Sequence, residues 1–462
     1  MSFLPLSDRG RLARTCRALE ASFCHPSLWY AVTVTLHGDT GRRNCVGRTA
    51  ASYVPMVERF GAYFQDLTLI VHGYDMKMTP DCEAVVACLG RCCRYERLTL
   101  DVRSLVRSRD IVGDLEPRTT DLDVLARLVA DAYRLRTFEL RAWPVYPRVR
   151  SVDMLAALQS NDKLRGCLER LSLYWQSADN STWVSLNTVV PSPAQMLAAT
   201  AHFTRLRALY VRSSMLSDDL IVDLADSRHA PLQRLGILVT YSSSRSDGEI
   251  PRIEATSWGR LRAYSPSLQV HVTVMTRMPA DKLSDMLMPE MPVTAVSFMR
   301  YSQCGATNIR SITDKFCASL HKFVDYSDAS GLDADIVAMA TKCSHLDYLV
   351  YNGTLRSSTV RELARLRGGR WVHFRINMDN VVTRDADLED DDDVIIKKGD
   401  DNSCYVVKIR QLAEAAADNR TEAIDQLTAD VTSCIGRKCF SKNKLQFSDV
   451  GNDLTSCMKK SG

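Results

Sequence analysis

The sequence predicts an α/β solenoid, with parallel strands on one side and helices on the other. Two observations carry this. A helical stretch followed by a short strand of the form Leu-x-x-Leu-x-Leu recurs about eleven times between residues 50 and 376. In the C-terminal half, equivalent strand positions return every 25–33 residues or so, which is a repeat period. One such unit cannot bury both its strand and its helix, so units stack into a parallel sheet with a helix layer behind it. Strand–helix alternation alone also fits a conventional α/β domain. The recurring leucine spacing, and the lack of a Gly-rich phosphate loop after any strand, favour the solenoid.

Residues 7–20 read as an amphipathic helix. Ser7 can cap it, and Leu12, Cys16 and Leu19 share one apolar face while Arg9, Arg11, Arg14 and Arg17 point elsewhere. A break follows at His25-Pro26, then Leu28-Trp29-Tyr30. Strict alternation over Val32-Thr33-Val34-Thr35-Leu36 predicts the first strand. Helices are predicted at 50–64, 82–93, 122–133, 154–167, 196–203, 220–225, 258–264, 282–288, 315–319, 333–343 and 359–366. Each leads into a strand, at 67–69, 98–100, 138–140, 171–173, 206–211, 232–237, 268–270, 293–298, 320–324, 346–350 and 372–374. The spacing is 31 residues from Leu69 to Leu100 and 40 from Leu100 to Leu140, so the early units carry inserted loops. The period of the C-terminal half lies inside or near the leucine-rich-repeat range.

After Ile376 the rhythm stops. Residues 385–393 hold seven carboxylates in nine positions, a run that repels itself and stays extended. A strand is predicted at 404–409 and a helix at 411–432, before a polar end. The chain thus divides into a short helical module (1–35), a leucine-rich-repeat solenoid (36–376), an acidic linker or loop (377–402) and a C-terminal tail with strand and helix (403–462).

The 462 residues are 45% hydrophobic and 25% charged, with 21 Gly and 15 Pro. This excludes collagen-like and wholly disordered chains. A net charge of +4 gives little support for nucleic acid as a partner, and no stretch approaches the length of apolar residues that crosses a membrane. The 15 cysteines are odd in number, and Met1 is followed by Ser2-Phe3-Leu4-Pro5 and charged Asp8-Arg9 rather than by a secretory signal. Both point to a reducing cytoplasm or nucleus. The cysteines then serve as small buried hydrophobes, and the sequons at Asn180, Asn352 and Asn419 are chance matches.

No motif for bond chemistry stands in the sequence: no dinucleotide or P-loop glycines, no zincin helix, no nucleophile elbow. Neither a cofactor nor a metal is expected. Cys82, Cys88, Cys92 and Cys93 lack the paired spacing of a zinc knot and read as core positions of a repeat helix. Cys434 and Cys439 are equally weak as ligands. Cys24-His25 is no nucleophile–base pair, because adjacent side chains do not aim at each other. The acidic run lacks the glycine turn and spaced ligands of a calcium loop.

The segment with Leu4, Pro5, Asp8, Cys16, Arg17, Pro26, Leu28 and Trp29 resembles the second half of an F-box, whose pattern is Leu-Pro-x-x-Asp, apolar-Cys-[Arg/Lys], then Pro-x-Leu-Trp. Leu19 stands where many F-boxes carry Trp, and the family's opening helix has no counterpart, so the resemblance implies a partial F-box over 1–35. Arg59-Phe60-Gly61-Ala62-Tyr63-Phe64, Leu206–Val239 and Ser257-Trp258-Gly259-Arg260-Leu261 look like stretches of F-box only proteins 33 and 39. This looser similarity runs to about residue 376. An F-box followed by leucine-rich units is the architecture of ubiquitin-ligase substrate receptors.

The resemblance implies a non-catalytic receptor. Its F-box would dock a Skp-family adaptor, and through it a cullin and a RING subunit. The adaptor surface would draw on Leu4, Pro5, Leu6, Leu12, Cys16, Leu28 and Trp29, some of them internal packing. The solenoid would hold a protein substrate near a ubiquitin thioester made elsewhere, which raises the effective concentration of its lysines. Tyr210, Arg212, Tyr241, Arg300, Tyr301, Tyr326 and Tyr351 lie in or just after predicted strands and are the candidate substrate contacts. Neither nucleic acid nor membrane is expected as a partner. The other reading the sequence allows is a leucine-rich-repeat scaffold with no ligase association.

Overall fold

In the computed structural model the described residues are 15–37, 53–73, 80–104, 120–142, 151–173, 191–241, 251–300, 302–327, 329–377, 381–382 and residue 429. The predicted cap Ser7, the acidic run, strand 404–409, helix 411–432 and the Cys434/Cys439 pair lie outside them. Two compact units divide the chain, one of residues 1–238 and 242–269 and one of 239–241 and 270–462.

The first unit opens with helix α1 (Arg17–Phe23), a 3-10 turn (Pro26–Trp29) and strand β1 (Ala31–His37). Helix and strand then alternate: α2 (Val54–Phe60), β2 (Asp66–Gly73), α3 (Pro80–Cys92), β3 (Arg97–Ser104), α4 (Thr120–Ala130), β4 (Thr137–Ala142), α5 (Ser151–Gln159), β5 (Arg170–Ser172), α6 (Pro193–His202), β6 (Ala208–Arg212), α7 (Asp218–Leu224), β7 (Arg234–Val239) and α8 (Ala255–Tyr264). Strands β1 to β7 lie side by side in chain order. One apolar row crosses them in register: Val32, Leu67, Leu98, Phe138, Leu171, Leu209 and Leu235. All seven are buried. Side chains alternate across a strand, so this row and the next, Val34–Leu69–Leu100–Leu140, pack against the helices. Leu69, Leu100 and Leu140 sit directly opposite one another although 31 and 40 residues apart. Burying each such side chain stabilises the stack by about 1.5–3 kcal/mol.

The second unit repeats the scheme with β8 (Gln269–Val274), α9 (Ala280–Met286), β9 (Val293–Phe298), α10 (Ala306–Phe316), β10 (Lys322–Asp325), α11 (Asp333–Lys342), β11 (Tyr348–Tyr351), β12 (Leu355–Arg356), α12 (Ser357–Arg367), β13 (His373–Ile376) and β14 (Val381–Val382). Its core row is Val272, Val296, Phe323, Leu349 and Phe374. Strand β14 pairs in parallel with β12, so paired backbone continues past the boundary expected at residue 376.

Local chemistry sets the helix ends. Ser192 and Gln195 form a reciprocal capping box at the start of α6, with Pro193 in the first turn. Ser217 accepts from Leu220 N–H and so caps α7. At the other end, polar side chains of one repeat satisfy the carbonyls of its neighbour. Asn161 donates to Ala130 O and Ala132 O at 2.7 and 2.8 Å. The buried Arg367 guanidinium donates to Ala340 O, Cys343 O and Ser344 O at the end of α11.

A backbone ladder repeats along the helix-to-strand turns. The residue before most strands accepts two amides from the next repeat. Glu96 O accepts from Arg136 N–H at 2.8 Å and Thr137 N–H at 3.0 Å, and Arg136 O accepts from Glu169 N–H at 2.8 Å and Arg170 N–H at 2.9 Å. Helix α10 differs from its expected span of 315–319. Its buried face is Asn308, Ile309, Ile312, Thr313 and Phe316, and the two polar residues hide the apolar period in the sequence. No helix among the described residues is long and apolar enough to cross a membrane.

Candidate functional site

The N-terminal segment is built around Trp29. Pro26 starts the 3-10 turn and His25 Nδ1 accepts from Ser27 N–H, which turns the chain and drives Trp29 inward. Its indole is 0% exposed and stacks on Phe60 of α2, with centroids 4.1 Å apart and rings 5° from parallel. Phe23 of α1 meets both rings edge-on, at 5.0 Å from Trp29 and 5.6 Å from Phe60. The indole N–H donates to Phe23 O at 2.8 Å. Arg59 closes the outside: its guanidinium lies 5.1 Å from the Phe60 centroid and donates to Cys24 Sγ at 3.3 Å. Edge-to-face aromatic pairs add about 0.5–1.5 kcal/mol each beyond burial.

Trp29 is thus an internal clasp between α1 and the first repeat, the packing role expected for some of the residues grouped with it. Cys16 is exposed and Leu28 half-buried, so both reach the surface. Leu4, Pro5, Leu6 and Leu12 lie outside the described residues.

The strand-end candidates divide in the same way. Tyr210 is 3% exposed and Arg212 5%. The Tyr210 ring lies over Gly236 of the adjacent strand, its register partner. A Cβ at Gly236 would come within 2.2 Å of that ring. Arg170 caps the other side, 4.9 Å from the ring centroid. Burial pushes the Arg212 pKa down to about 9. Tyr326 is 5% exposed, in a buried cluster with Met299, Val324 and Val350. Tyr351 is 0% exposed and donates to Ala329 O at 3.2 Å. A strand face reads as solvated from the sequence, and these four side chains fill interior space instead. Tyr241 is half-buried and Arg300 exposed, while Tyr301 lies outside the described residues.

Two features escape a reading by motif. Lys322 Nζ sits 4.0 Å above the Tyr348 ring, and Tyr348 stacks on His373 at 4.4 Å. Each is the first residue of its strand and the three stand in register, which is the signal that would have found them. Likewise Glu96, Arg136 and Glu169 occupy the turn before successive strands. Arg136 bridges both acids, 3.9 Å from Glu96 and 3.3 Å from Glu169.

Among the described cysteines, Cys82, Cys88, Cys93, Cys304 and Cys343 are buried thiols. Cys88 and Cys92 Sγ are 3.8 Å apart on α3. Burial pushes the Cys88 thiol up to about 11, and Cys92 adds to the shift. Burial carries Cys343 up to about 12. Such thiols hold little thiolate at neutral pH and are poor nucleophiles. Among the described residues no group of three or more His, Cys, Asp or Glu is placed to hold a metal ion.

No family model matches the chain. It is similar to F-box only protein 33 of Mus musculus, 27% identical over 224 residues that make up 45% of this chain and 39% of that protein. It is similar to F-box/LRR-repeat protein 21 of Ovis aries, 24% identical over 395 residues, 83% of this chain and 81% of that protein. It is also similar to F-box/LRR-repeat protein 8 of Homo sapiens, 24% identical over 350 residues, 74% of this chain and 83% of that protein. Curated relatives of the chain are therefore F-box and F-box/LRR-repeat proteins, at modest identity.

Proposed function

We propose that this protein, whose relatives are F-box and leucine-rich-repeat proteins, is the substrate-recognition subunit of a Skp–cullin–F-box type ubiquitin ligase. One observation carries the reading: the likeness to F-box/LRR-repeat protein 21 covers 83% of the chain. The aromatic clasp supports it. A receptor must hold its substrate at a defined distance from the charged enzyme, and Trp29, Phe23 and Phe60 join α1 firmly to the first repeat. The chain itself forms or breaks no bond in this reading, and its work is templating. The free thiols, several of them buried, support a reducing cytoplasm or nucleus as its place of action.

The test is co-purification of the full chain with a Skp-family adaptor. Association is expected, and Leu28→Asp at the half-buried edge of the module is expected to weaken it about tenfold, a loss of about 1.4 kcal/mol. Circular dichroism checks that this variant is folded. No association, either with the chain as it stands or with an upstream F-box helix grafted on, overturns the proposal.

A further inference from the structure

We infer that the helix-to-strand edge of the first unit is a docking surface for an acidic protein segment. The net charge of +4 conceals this edge. Helices α3 to α8 all end there, and from the last helical turn to the first strand residue cations outnumber carboxylates in every connection except that between α7 and β7, where the two are equal. Residues 91–97 hold three arginines and one carboxylate, 127–137 the same, and 205–207 two arginines and no carboxylate. Arg94, Arg136, Arg165, Arg205 and Arg207 are exposed. Part of this charge complements the negative ends of the helix dipoles. That accounts for cations in the last helical turns, and not for those further along the connections, such as Arg165, Arg205 and Arg207.

The apolar residues point the same way. Among the described residues of this unit, the large apolar side chains left exposed are Tyr30, Tyr63 and Tyr133. All three lie in turns just before a strand. Tyr133 has the Arg134 and Lys163 cations each 5.8 Å from its ring centroid. Tyrosine and arginine together are the composition of protein-binding hot spots. Arginine presents a planar fork to carboxylates, and nearly all the cations here are arginine.

A protein partner fits better than nucleic acid. Glu96 and Glu169 are set among the arginines and hold Arg136 between them. A phosphate backbone carries a charge at every step and would meet these carboxylates. An acidic protein segment interrupts its charges with neutral residues and can place those opposite Glu96 and Glu169. This surface stands whether or not the chain joins a ligase.

The probe is a fluorescein-labelled peptide of four Asp-Glu-Leu-Ser repeats, titrated with the full chain by anisotropy beside a labelled single-stranded oligothymidine. The peptide is expected to bind, to weaken about tenfold between low and moderate salt, and to lose about fivefold or more in the triple variant Arg136→Gln, Arg165→Gln, Arg205→Gln. The charge-matched variant Lys342→Gln, Arg365→Gln, Arg370→Gln in the second unit is expected to bind as the parent does. All six side chains are exposed, and circular dichroism confirms that both variants are folded. No binding of the peptide, an equal loss in both variants, or tighter binding of the oligothymidine through the same arginines would each overturn the inference.

Discussion

In the first unit the residues that accept the backbone ladder before successive strands include Gln65, Glu96, Arg136, Glu169 and Arg207; in the second they include His321 and Asp347. The carbonyls do the same work in both rows. The side chains differ. One row alternates carboxylate and guanidinium, with Arg136 held between Glu96 and Glu169. The other brings imidazoles together, His321 and His345 at 5.3 Å. The far strand faces differ too. In the first unit this face runs from exposed Thr33 in β1 to buried Tyr210 in β6, whereas in the second Val324 and Val350 are buried with Met299 and Tyr326. The backbone and the leucine rows make the stack, so side chains on the edge and on the far strand face are free to diverge between units.

The largest expected effect tests whether the aromatic clasp belongs to the first unit alone. Trp29→Ala removes the most buried aromatic of the N-terminal segment and should cost about 3–5 kcal/mol locally. Hydrogen exchange should show α1 and α2 losing protection while β9 to β11 keep theirs. Equal loss in both units would break the comparison. Next is Gly236→Ala, which forces the Tyr210 ring aside at an expected cost of about 1–3 kcal/mol. Denaturant unfolding of Gly236→Ala combined with Tyr210→Ser should recover most of that cost, because the two changes share one contact.

A smaller effect separates the two strand faces. Val350→Thr buries a hydroxyl among apolar neighbours and should cost about 1–3 kcal/mol, while Thr33→Val at an exposed position should stay within about 0.5 kcal/mol. Similar shifts in melting temperature for both would mean that the faces are alike. The smallest is Arg136→Ala. Its two ion pairs are exposed, so the loss should be under about 1 kcal/mol and should shrink further in high salt. A larger loss would make the charged edge a structural element and not a free surface.

Much of the fold was legible in the residues. Strands β2, β3, β4 and β9 fall where Leu-x-Leu or its equivalent stands, because a strand buried on one face must alternate. In later repeats the first leucine of the motif, such as Leu206, Leu232 or Leu346, precedes the strand and is buried in the turn. The span of helix α10 is hidden in the sequence because Asn308 and Thr313 are polar and buried. The candidate contacts were less legible. Trp29, Tyr210, Tyr326 and Tyr351 look like surface aromatics when only their neighbours in sequence are known, and each is buried by a residue from another repeat or by a glycine such as Gly236.

What the sequence by itself determined is the unit: its period, its apolar row and the direction from helix to strand. Those depend on local spacing, which the chain carries whether folded or not. Only the tertiary structure decided which residues of successive units stand side by side. The distance from one unit to the next varies, 31 residues and then 40, while pairing across the sheet depends on the stacked leucines and the ladder of amides. Glu96, Arg136 and Glu169 become a rail, and Tyr210 a lid on Gly236, only once that stacking is made. A charge that sums to +4 along the chain is sorted in space by the same register, which no composition can express.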